Sequence, residues 1–117
     1  MSRNFISTDQ ELYQGDYLVS ENGNYKAVFQ EDGNFVIYGW SPVWNTATCG
    51  KKPHRILLQG DTNLVMYTDD DTPVWATGNH DFHDNSRMRL TLTNQGHLIV
   101  QKNGKMVWSS ANSRGTL

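Results

Sequence analysis

Residues 30–38 read Gln30-Glu31-Asp32-Gly33-Asn34-Phe35-Val36-Ile37-Tyr38, and residues 59–67 read Gln59-Gly60-Asp61-Thr62-Asn63-Leu64-Val65-Met66-Tyr67. Both stretches fit the pattern Q-x-D-x-N-x-V-x-Y, in which every second residue is identical. A β-strand sends alternate side chains to opposite faces, so the five shared residues lie together on one face. The residues between them lie on the other face and are apolar in the second half of each stretch. A repeated set of hydrogen-bonding groups indicates a binding surface that the chain builds twice.

The remaining sequence predicts an all-β protein with almost no helix. Short apolar runs alternate with turn signals rich in Gly, Asn and Asp, of which Asn22-Gly23 is typical of a tight hairpin. Residues 2–10 are polar and are expected to form an irregular lead. The predicted strands are 17–19, 25–30, 35–38, 42–44, 55–59, 64–67, 73–75, 90–93, 98–101 and 106–108.

A third, weaker copy of the unit follows the first two. The sequence predicts one domain, 1–117, with three repeat units around 12–48, 49–78 and 87–111. Each unit is too small to bury its own inner face, so the three share one core with pseudo-threefold symmetry. Trp44, Trp75 and Trp108 each follow a valine and are expected on the central axis. The other predicted core residues are Phe29, Leu58, Leu92, Phe35, Ile37, Leu64, Met66, Leu98 and Val100.

Composition narrows the functional classes. The net charge is −2, which disfavours binding to nucleic acid, and no apolar run is long enough to insert into a membrane. Cys49 is the single cysteine, so no intramolecular disulfide forms. The N-terminus lacks the apolar stretch of a signal peptide. The expected location is the cytoplasm, or the outside of the cell by a non-classical export route.

The repeated face suits a sugar. Gln and Asn offer donors and acceptors, ionised Asp accepts only, and Tyr adds a hydroxyl on a flat apolar ring. A valine supplies a dry patch between them. The complementary ligand carries neighbouring hydroxyls that both donate and accept, together with some C–H surface.

The two motifs resemble the signature of the monocot (bulb-type) mannose-binding lectins, and the likeness runs from about Leu12 to Ala111. Among animals the chain is similar in type to the lily-type lectins of fish skin mucus. The resemblance implies a β-prism II fold, which has three four-stranded antiparallel sheets around a threefold axis. It also implies binding of mannose and high-mannose glycans without calcium or another cofactor, a role in innate defence or glycan cross-linking, and an extracellular place in mucus. Homodimers formed by exchange of C-terminal strands are a further implication.

The resemblance assigns roles to individual residues. Gln30 is expected to bond the 3-hydroxyl of mannose, Asp32 and Asn34 the 2-hydroxyl and Tyr38 the 4-hydroxyl, while Val36 contacts ring carbons. The second site is expected to use its equivalents, which are Gln59, Asp61, Asn63, Val65 and Tyr67. The third copy departs from the pattern, with Thr93, Gln95, His97, Ile99 and Gln101 at the five positions. We expect that copy to be inactive or to take a different ligand.

Other interpretations stay open. His80-Asp81-Phe82-His83-Asp84 contains metal-ligand residue types, but a polar loop is the simpler interpretation, and Asp69-Asp70-Asp71 lacks the spacing of a calcium loop. No metal site is therefore predicted. Trp40 has two possible places, in the first site or at an interface. Asp32 and Asp61 belong to different sheets and cannot act as a catalytic pair, so no enzyme is expected. The alternative function is an intracellular structural protein of the same fold that binds the cytoskeleton or vesicle glycoproteins.

Overall fold

A computed structural model describes residues 3–61, 63–78 and 87–116. All regular structure in these ranges is β. The strands are β1 (Phe5–Ser7), β2 (Glu11–Tyr13), β3 (Tyr17–Val19), β4 (Lys26–Phe29), β5 (Phe35–Tyr38), β6 (Pro42–Asn45), β7 (Arg55–Leu58), β8 (Leu64–Tyr67), β9 (Pro73–Ala76), β10 (Met88–Leu92), β11 (Leu98–Lys102) and β12 (Lys105–Ser109). Within the described ranges, no helix has the length and apolar character needed to cross a membrane.

The strands form three antiparallel sheets of four strands each, as the sequence predicts. We name them by the motif they carry: the first sheet has the order β3-β4-β5-β6, the second β2-β7-β8-β9 and the third β1-β10-β11-β12. Consecutive strands pair through short turns, and the registers of the three sheets correspond. Each sheet places the middle strand of its repeat, β5, β8 or β11, between two neighbours.

The polar lead contains a strand, which corrects the prediction for residues 2–10. β1 pairs with β10 through Phe5–Thr91, Ile6–Leu90 and Ser7–Arg89 and completes the third sheet. β2 likewise completes the second sheet by pairing with β7. Each of these strands has only three residues and buries one of them, so a local pattern cannot distinguish it from a loop. Two sheets therefore combine an N-terminal strand with a later repeat, and only the first sheet is contiguous in sequence.

The inner faces of the sheets form a single core. Every apolar residue predicted for this core, apart from Trp44, is buried, including Phe35 and Ile37 of β5 and their equivalents on β8 and β11. The strands alternate as the repeated motif predicts, with polar residues directed away from the axis. Folding thus depends on one face of each strand and leaves the other face available for binding.

The three tryptophans meet at the axis, which confirms their predicted position. Their ring centroids lie 6.3 Å (Trp44–Trp75), 5.9 Å (Trp44–Trp108) and 6.1 Å (Trp75–Trp108) apart, all in edge-to-face geometry. The C-terminal tail, residues 112–116, supplies an acceptor for every indole. The N–H of Trp44 donates to the Ser113 carbonyl (3.2 Å), that of Trp75 to the Arg114 carbonyl (2.7 Å) and that of Trp108 to the Ser113 hydroxyl (3.0 Å). The tail therefore closes one end of the core.

A β-bulge recurs at the same place in all three sheets. It separates Ile37 from Tyr38, Met66 from Tyr67 and Val100 from Gln101. A bulge bends its strand and redirects the following side chain. The side chain of the last residue of each motif copy is thus redirected at a comparable place in its strand, including the third copy, where glutamine replaces tyrosine.

Candidate functional site

The two intact motifs occupy equivalent positions on the outer faces of the first and second sheets. Each begins in the turn before the middle strand and continues along β5 or β8. Val36 and Val65 are only 4% exposed and form the floor beneath the polar side chains. The hydrogen bonds below connect four of the five motif residues in the first copy, which are Gln30, Asp32, Asn34 and Tyr38.

The Asp32 carboxylate organises the turn of the first motif. Its Oδ1 accepts the backbone N–H of Asn34 (3.0 Å), and both carboxylate oxygens accept the Gln30 carboxamide N–H (3.1 Å each). The Asn34 N–H, followed by the Gln30 amide and the Cys49 thiol, holds the pKa of Asp32 below its ordinary value of 3.8, while partial burial opposes this shift. Asp32 is consequently an ionised acceptor at neutral pH. In the second motif, Asp61 Oδ1 accepts the Asn63 N–H in the same way (3.2 Å).

Two threonines fix the orientation of Asn34. Its Oδ1 accepts the Thr46 hydroxyl (3.2 Å) and the Thr48 backbone N–H (3.2 Å). With the carbonyl engaged on the protein side, the amide NH₂ has no partner among the described residues and is presented as a donor. Thr46 and Thr48 are themselves fully buried and lie 2.7 Å apart at their hydroxyls. The amide is therefore pre-oriented before any ligand arrives.

The second motif uses the same clamp with one change. The Asn63 Oδ1 accepts the Thr77 hydroxyl (3.0 Å) and the backbone N–H of Gly78 (3.0 Å), which takes the place of Thr48. Asn63 is 9% exposed, so its NH₂ group, which bonds none of the described residues, lies in a well-packed setting. Both copies thus offer an oriented amide donor beside a carboxylate acceptor.

Gln and Tyr close the other side of each site. In the first, the Tyr38 hydroxyl donates to the Gln30 carbonyl, whose amide faces Asp32. In the second, the Gln59 amide donates to the Tyr67 hydroxyl (2.5 Å). These groups satisfy one another in the free protein, so a ligand with two neighbouring hydroxyls can replace the mutual bonds without leaving a polar group unpaired.

Gly33 is required by close packing behind the first motif. Its φ is +89°, and a Cβ there would stand 2.8 Å from Pro53 Cδ and 3.1 Å from the Thr48 carbonyl oxygen. The Thr48 hydroxyl donates to the Gly33 carbonyl (2.6 Å), which fastens the turn to the loop that carries the asparagine clamp. The turn that aims Asp32 is therefore fixed by residues distant in sequence.

The third copy keeps the fold but not this set of polar groups. The Leu98 N–H donates to the Ser110 hydroxyl (2.9 Å), as the N–H of Phe35 donates to Thr46 and that of Leu64 to Thr77. His97 replaces the clamped asparagine, and its backbone N–H bonds the Thr93 hydroxyl (3.2 Å). No carboxylate occupies the equivalent of Asp32.

Reasoning from the sequence missed the threonines, although a signal was present. Each axial tryptophan is followed two residues later by a hydroxyl side chain, in the series Trp44-Asn45-Thr46, Trp75-Ala76-Thr77 and Trp108-Ser109-Ser110. This second repeat marks the side chains that bond the start of the middle strand. Their contact with the asparagine depends on strand pairing and is visible only in three dimensions.

The other residues singled out in the sequence are 80–84, 69–71 and Trp40, none of which belongs to the two motifs. Residues 80–84 lie outside the described residues, and the described ranges contain no cluster of three or more His, Cys, Asp or Glu side chains arranged to hold a metal. Asp70 accepts the Thr72 hydroxyl (3.0 Å), and Asp71 pairs with Arg55 (2.9 Å), as in a hydrogen-bonded turn. Trp40 is fully exposed and lines a cavity of about 520 Å³ that contains none of the ten motif residues.

Comparison with known proteins agrees with this architecture. No known family model matches the chain. It is 45% identical over 113 residues, covering 97% of this chain and 99% of the relative, to the B-type lectin plumieribetin of Scorpaena plumieri. It superposes on a monomeric monocot mannose-binding lectin of Gastrodia elata with a TM-score of 0.84, 25% identity and coverage of 94% and 98%. For the snowdrop (Galanthus nivalis) mannose-specific agglutinin in complex with methyl-α-D-mannoside the TM-score is 0.77, the identity 26% and the coverage 94% and 97%.

These likenesses define the class of protein. Three antiparallel four-stranded sheets around an axis, superposable on bulb lectins along nearly their whole length, are a β-prism II fold. Because 45% identity extends over almost all of both chains, the chain belongs to the bulb-type (B-type) lectin family. It is accordingly a lectin and not an enzyme.

Proposed function

We propose that this lectin binds mannose and high-mannose glycans, without calcium, through the two motifs at 30–38 and 59–67. The observation that carries the proposal is the ionised Asp32 beside an Asn34 amide whose donor is oriented outward, a pair that recurs at Asp61 and Asn63. The two solved lectins compared above, which are named mannose-binding or mannose-specific, share this fold. The third copy is degenerate and takes no part in mannose binding.

The arrangement suits one orientation of neighbouring hydroxyls. We infer that Asp32 accepts and the Asn34 amide donates at a 2-hydroxyl, that Gln30 bonds the 3-hydroxyl and that Tyr38 bonds the 4-hydroxyl. Val36 then faces ring carbons. A hydroxyl in the opposite orientation would leave the carboxylate or the amide unpaired, which costs about 1–3 kcal/mol for a buried group and more for a charged one. This difference would favour mannose over its 2-epimer glucose.

Several shallow sites acting together would give useful affinity. Single sites of this kind bind monosaccharides with dissociation constants on the order of millimolar, which corresponds to about 4 kcal/mol. Two sites on one chain can engage two arms of a branched glycan, and a homodimer would present four. We propose that such a dimer forms by exchange of the C-terminal strand β12, which is the outer strand of the third sheet. Defence against glycan-coated cells by cross-linking is the role we infer.

Replacing Asp32 and Asp61 by alanine tests the mannose assignment. The wild-type chain should be retained on mannose-agarose, released by free mannose and unaffected by EDTA. The double variant should not be retained, because each site loses a charged acceptor worth about 2–3 kcal/mol, or about 30- to 140-fold in affinity. Asp9→Asn plus Glu21→Gln, which removes the same charge at exposed residues, should behave like the wild type.

Retention of the double alanine variant would refute the assignment of these motifs. Loss of wild-type binding in EDTA would instead indicate a metal-dependent site. Absence of any retention of the wild type would favour the alternative role as a structural protein. Asp32→Asn plus Asp61→Asn keeps an oxygen acceptor for the turn, so its thermal unfolding should match the wild type while its retention is lost.

Acid should weaken the first site only below the ordinary pKa of an aspartate. The pKa of Asp32 is lowered in the folded chain, so the carboxylate stays ionised from neutral pH down to 3.8 and becomes protonated only below that value. In the Asp61→Ala background, mannose affinity measured by titration calorimetry should be constant between pH 7 and about 5 and should fall below pH 3.8. A midpoint above pH 5 would show that another group controls binding.

A further inference from the structure

A cleft lies on the third sheet, and none of the ten residues of the intact motifs lines it. It is an open cleft of about 720 Å³, within the range typical of small-ligand sites. Strand β1, the ends of β10 and β11 and the turn between β11 and β12 form its walls. The lining residues are Ser7, Thr8, Arg87, Met88, Arg89, Gln101, Asn103 and Gly104. No acidic side chain is among them.

The charge of the chain is divided unequally, and the cleft lies in its basic part. Residues 87–117 contain five of the ten Lys and Arg residues and none of the twelve Asp and Glu residues. The whole chain is nevertheless acidic, with a net charge of −2. The strands of the third sheet contain no carboxylate at all. The charged side chains that line the cleft are therefore all positive, although the protein as a whole is acidic.

The three sheets carry a basic residue at one equivalent position, which allows a direct comparison. Lys26 is paired in register with Tyr38, Arg55 with Tyr67 and Arg89 with Gln101. In the second sheet, Arg55 is neutralised by two carboxylates, those of Glu11 (3.0 Å) and Asp71 (2.9 Å). A ligand approaching that sheet meets a guanidinium whose charge is already compensated.

Arg89 has no such acidic partner among the described residues. Its guanidinium lies over the Phe5 ring, 4.3 Å from the centroid, which leaves the N–H groups at its edge free to donate. Neither Arg89 nor the neighbouring Arg87 forms an ion pair in the described part of the chain. Arg87 is fixed at its backbone, whose N–H donates to the Asn103 side-chain oxygen (3.0 Å).

Gln101 adds a carboxamide that is available for hydrogen bonding beside these two arginines. It replaces the tyrosine that bonds glutamine in the intact motifs, and its side chain makes no hydrogen bond among the described residues. The hydroxyl of Ser7 also lines the cleft. Cations thus stand next to neutral groups that can bond sugar hydroxyls, on the sheet that lacks the mannose motif.

We propose that the cleft on the third sheet binds an acidic sugar residue, with Arg89 and Arg87 holding its carboxylate or sulfate group. An Arg guanidinium forms paired, charge-assisted bonds with either anion. Gln101 and Ser7 bond hydroxyls of the same residue. The third sheet therefore carries a site for a charged sugar, where the other two sheets carry a site for a neutral sugar. The lectin engages two kinds of glycan through different faces.

A titration followed by protein NMR tests the proposal with two anionic probes and one neutral probe. 3′-Sialyllactose presents a carboxylate and lactose 3′-sulfate a sulfate ester, whereas lactose presents neither. At low ionic strength we expect either or both anionic probes to shift the backbone amide resonances of Arg89 and Gln101, and lactose to leave them unchanged. Binding should weaken as salt is added, because exposed charges are screened over about 10 Å at 0.1 M.

Arg87→Gln plus Arg89→Gln should reduce the affinity for the anionic probe by at least about tenfold, since each guanidinium contributes a charge-assisted contact. Arg3→Gln plus Arg114→Gln removes the same charge at exposed positions outside the cleft and serves as the matched control. Thermal unfolding of both double variants establishes that the comparison is between folded proteins.

The outcomes separate a specific site from a general basic surface. Equal loss in the two double variants would overturn the proposal, because binding would then follow net charge alone. Absence of shifts with both anionic probes would also overturn it. Vesicles containing phosphatidylserine serve as a further arm. Suppose that the vesicles bind through Arg87 and Arg89 and that neither anionic sugar binds. The cleft would then be a site for a lipid surface, and the proposal of an acidic sugar would be refuted.

Discussion

Removing residues 113–117 should lower the free energy of unfolding by about 5 kcal/mol, which is a large share of the 5–15 kcal/mol of a typical domain. The tail accepts hydrogen bonds from all three axial indoles. It also forms a two-bond bridge to β9, in which the Ala76 N–H donates to the Thr116 carbonyl (3.0 Å) and the Thr116 N–H to the Ala76 carbonyl (2.7 Å). At about 1 kcal/mol for each of these five bonds, the truncated chain should unfold at a much lower urea concentration.

A single substitution tests the packing of the tail without shortening the chain. Gly115 has φ +76°, and a Cβ there would stand 2.5 Å from Trp75 Cζ2 and 2.6 Å from the Ala76 carbonyl oxygen. Gly23 has nearly the same φ, +75°, but no atom within 4 Å of its Cβ position. Gly115→Ala should therefore be more destabilising than Gly23→Ala, since only the former adds a collision to the backbone strain. Equal effects would show that the tail does not press on the tryptophan.

Sedimentation velocity distinguishes this capping role from strand exchange. Residues 113–117 follow β12, so the truncated chain keeps the strand proposed to be exchanged. A truncated chain that is destabilised but remains dimeric would assign the tail to the core and leave exchange intact. An unchanged urea midpoint would contradict the capping role.

Thr46→Val should both destabilise the fold, by about 1–3 kcal/mol, and selectively impair the first site. The Thr46 hydroxyl is fully buried, accepts the Phe35 N–H (3.2 Å) and donates to Asn34 Oδ1 (3.2 Å). Valine has nearly the same shape but leaves the buried Phe35 N–H without its acceptor, which costs about 1–3 kcal/mol, while Asn34 Oδ1 keeps its bond from the Thr48 N–H. The Asn34 amide then loses one of the two bonds that fix its orientation, so its donor is held less firmly toward the ligand. Urea unfolding measures the first effect, and mannose titration in the Asp61→Ala background measures the second.

The protein contains its own controls for this experiment. Thr77→Val should impair the second site and leave the first unchanged, because Thr77 clamps Asn63 in the same way. Thr46→Ser keeps the hydroxyl, as Ser110 does in the third sheet, and should restore mannose affinity at the first site. Loss of affinity in Thr46→Ser would mean that the methyl group, and not the hydrogen bond, is what the site needs.

Much of the architecture follows from periodicity. Because the side-chain period of a strand is two, the alternation in 30–38 and 59–67 assigns each residue to the inner or the outer face, and the structure confirms this for the core residues on β5 and β8. The repeated Val-Trp pairs locate the axis for the same reason: repeated units that share a core place equivalent residues at equivalent positions. These inferences need only local geometry and counting.

Other features required the tertiary structure. β1 and β2 are too short for their pattern to be read, and their roles arise from pairing with strands far along the chain. Thr46, Ser113 and Arg114 act on partners 12, 69 and 39 residues away, and no local pattern encodes those contacts. The basic cleft likewise exists because the third sheet gathers Ser7 with Arg89 and Gln101.

The sequence by itself thus determined which face of each strand enters the core and which carries the repeated polar groups, because alternation along a strand is a local property. It also determined that two of the three copies carry the intact Q-x-D-x-N-x-V-x-Y motif. Only the tertiary structure decided how Asn34 and Asn63 are aimed, what caps the tryptophan axis and what the third sheet presents in place of the motif. Each of these depends on hydrogen bonds or charges between residues that the fold brings together, and their partners cannot be identified until the strands are paired.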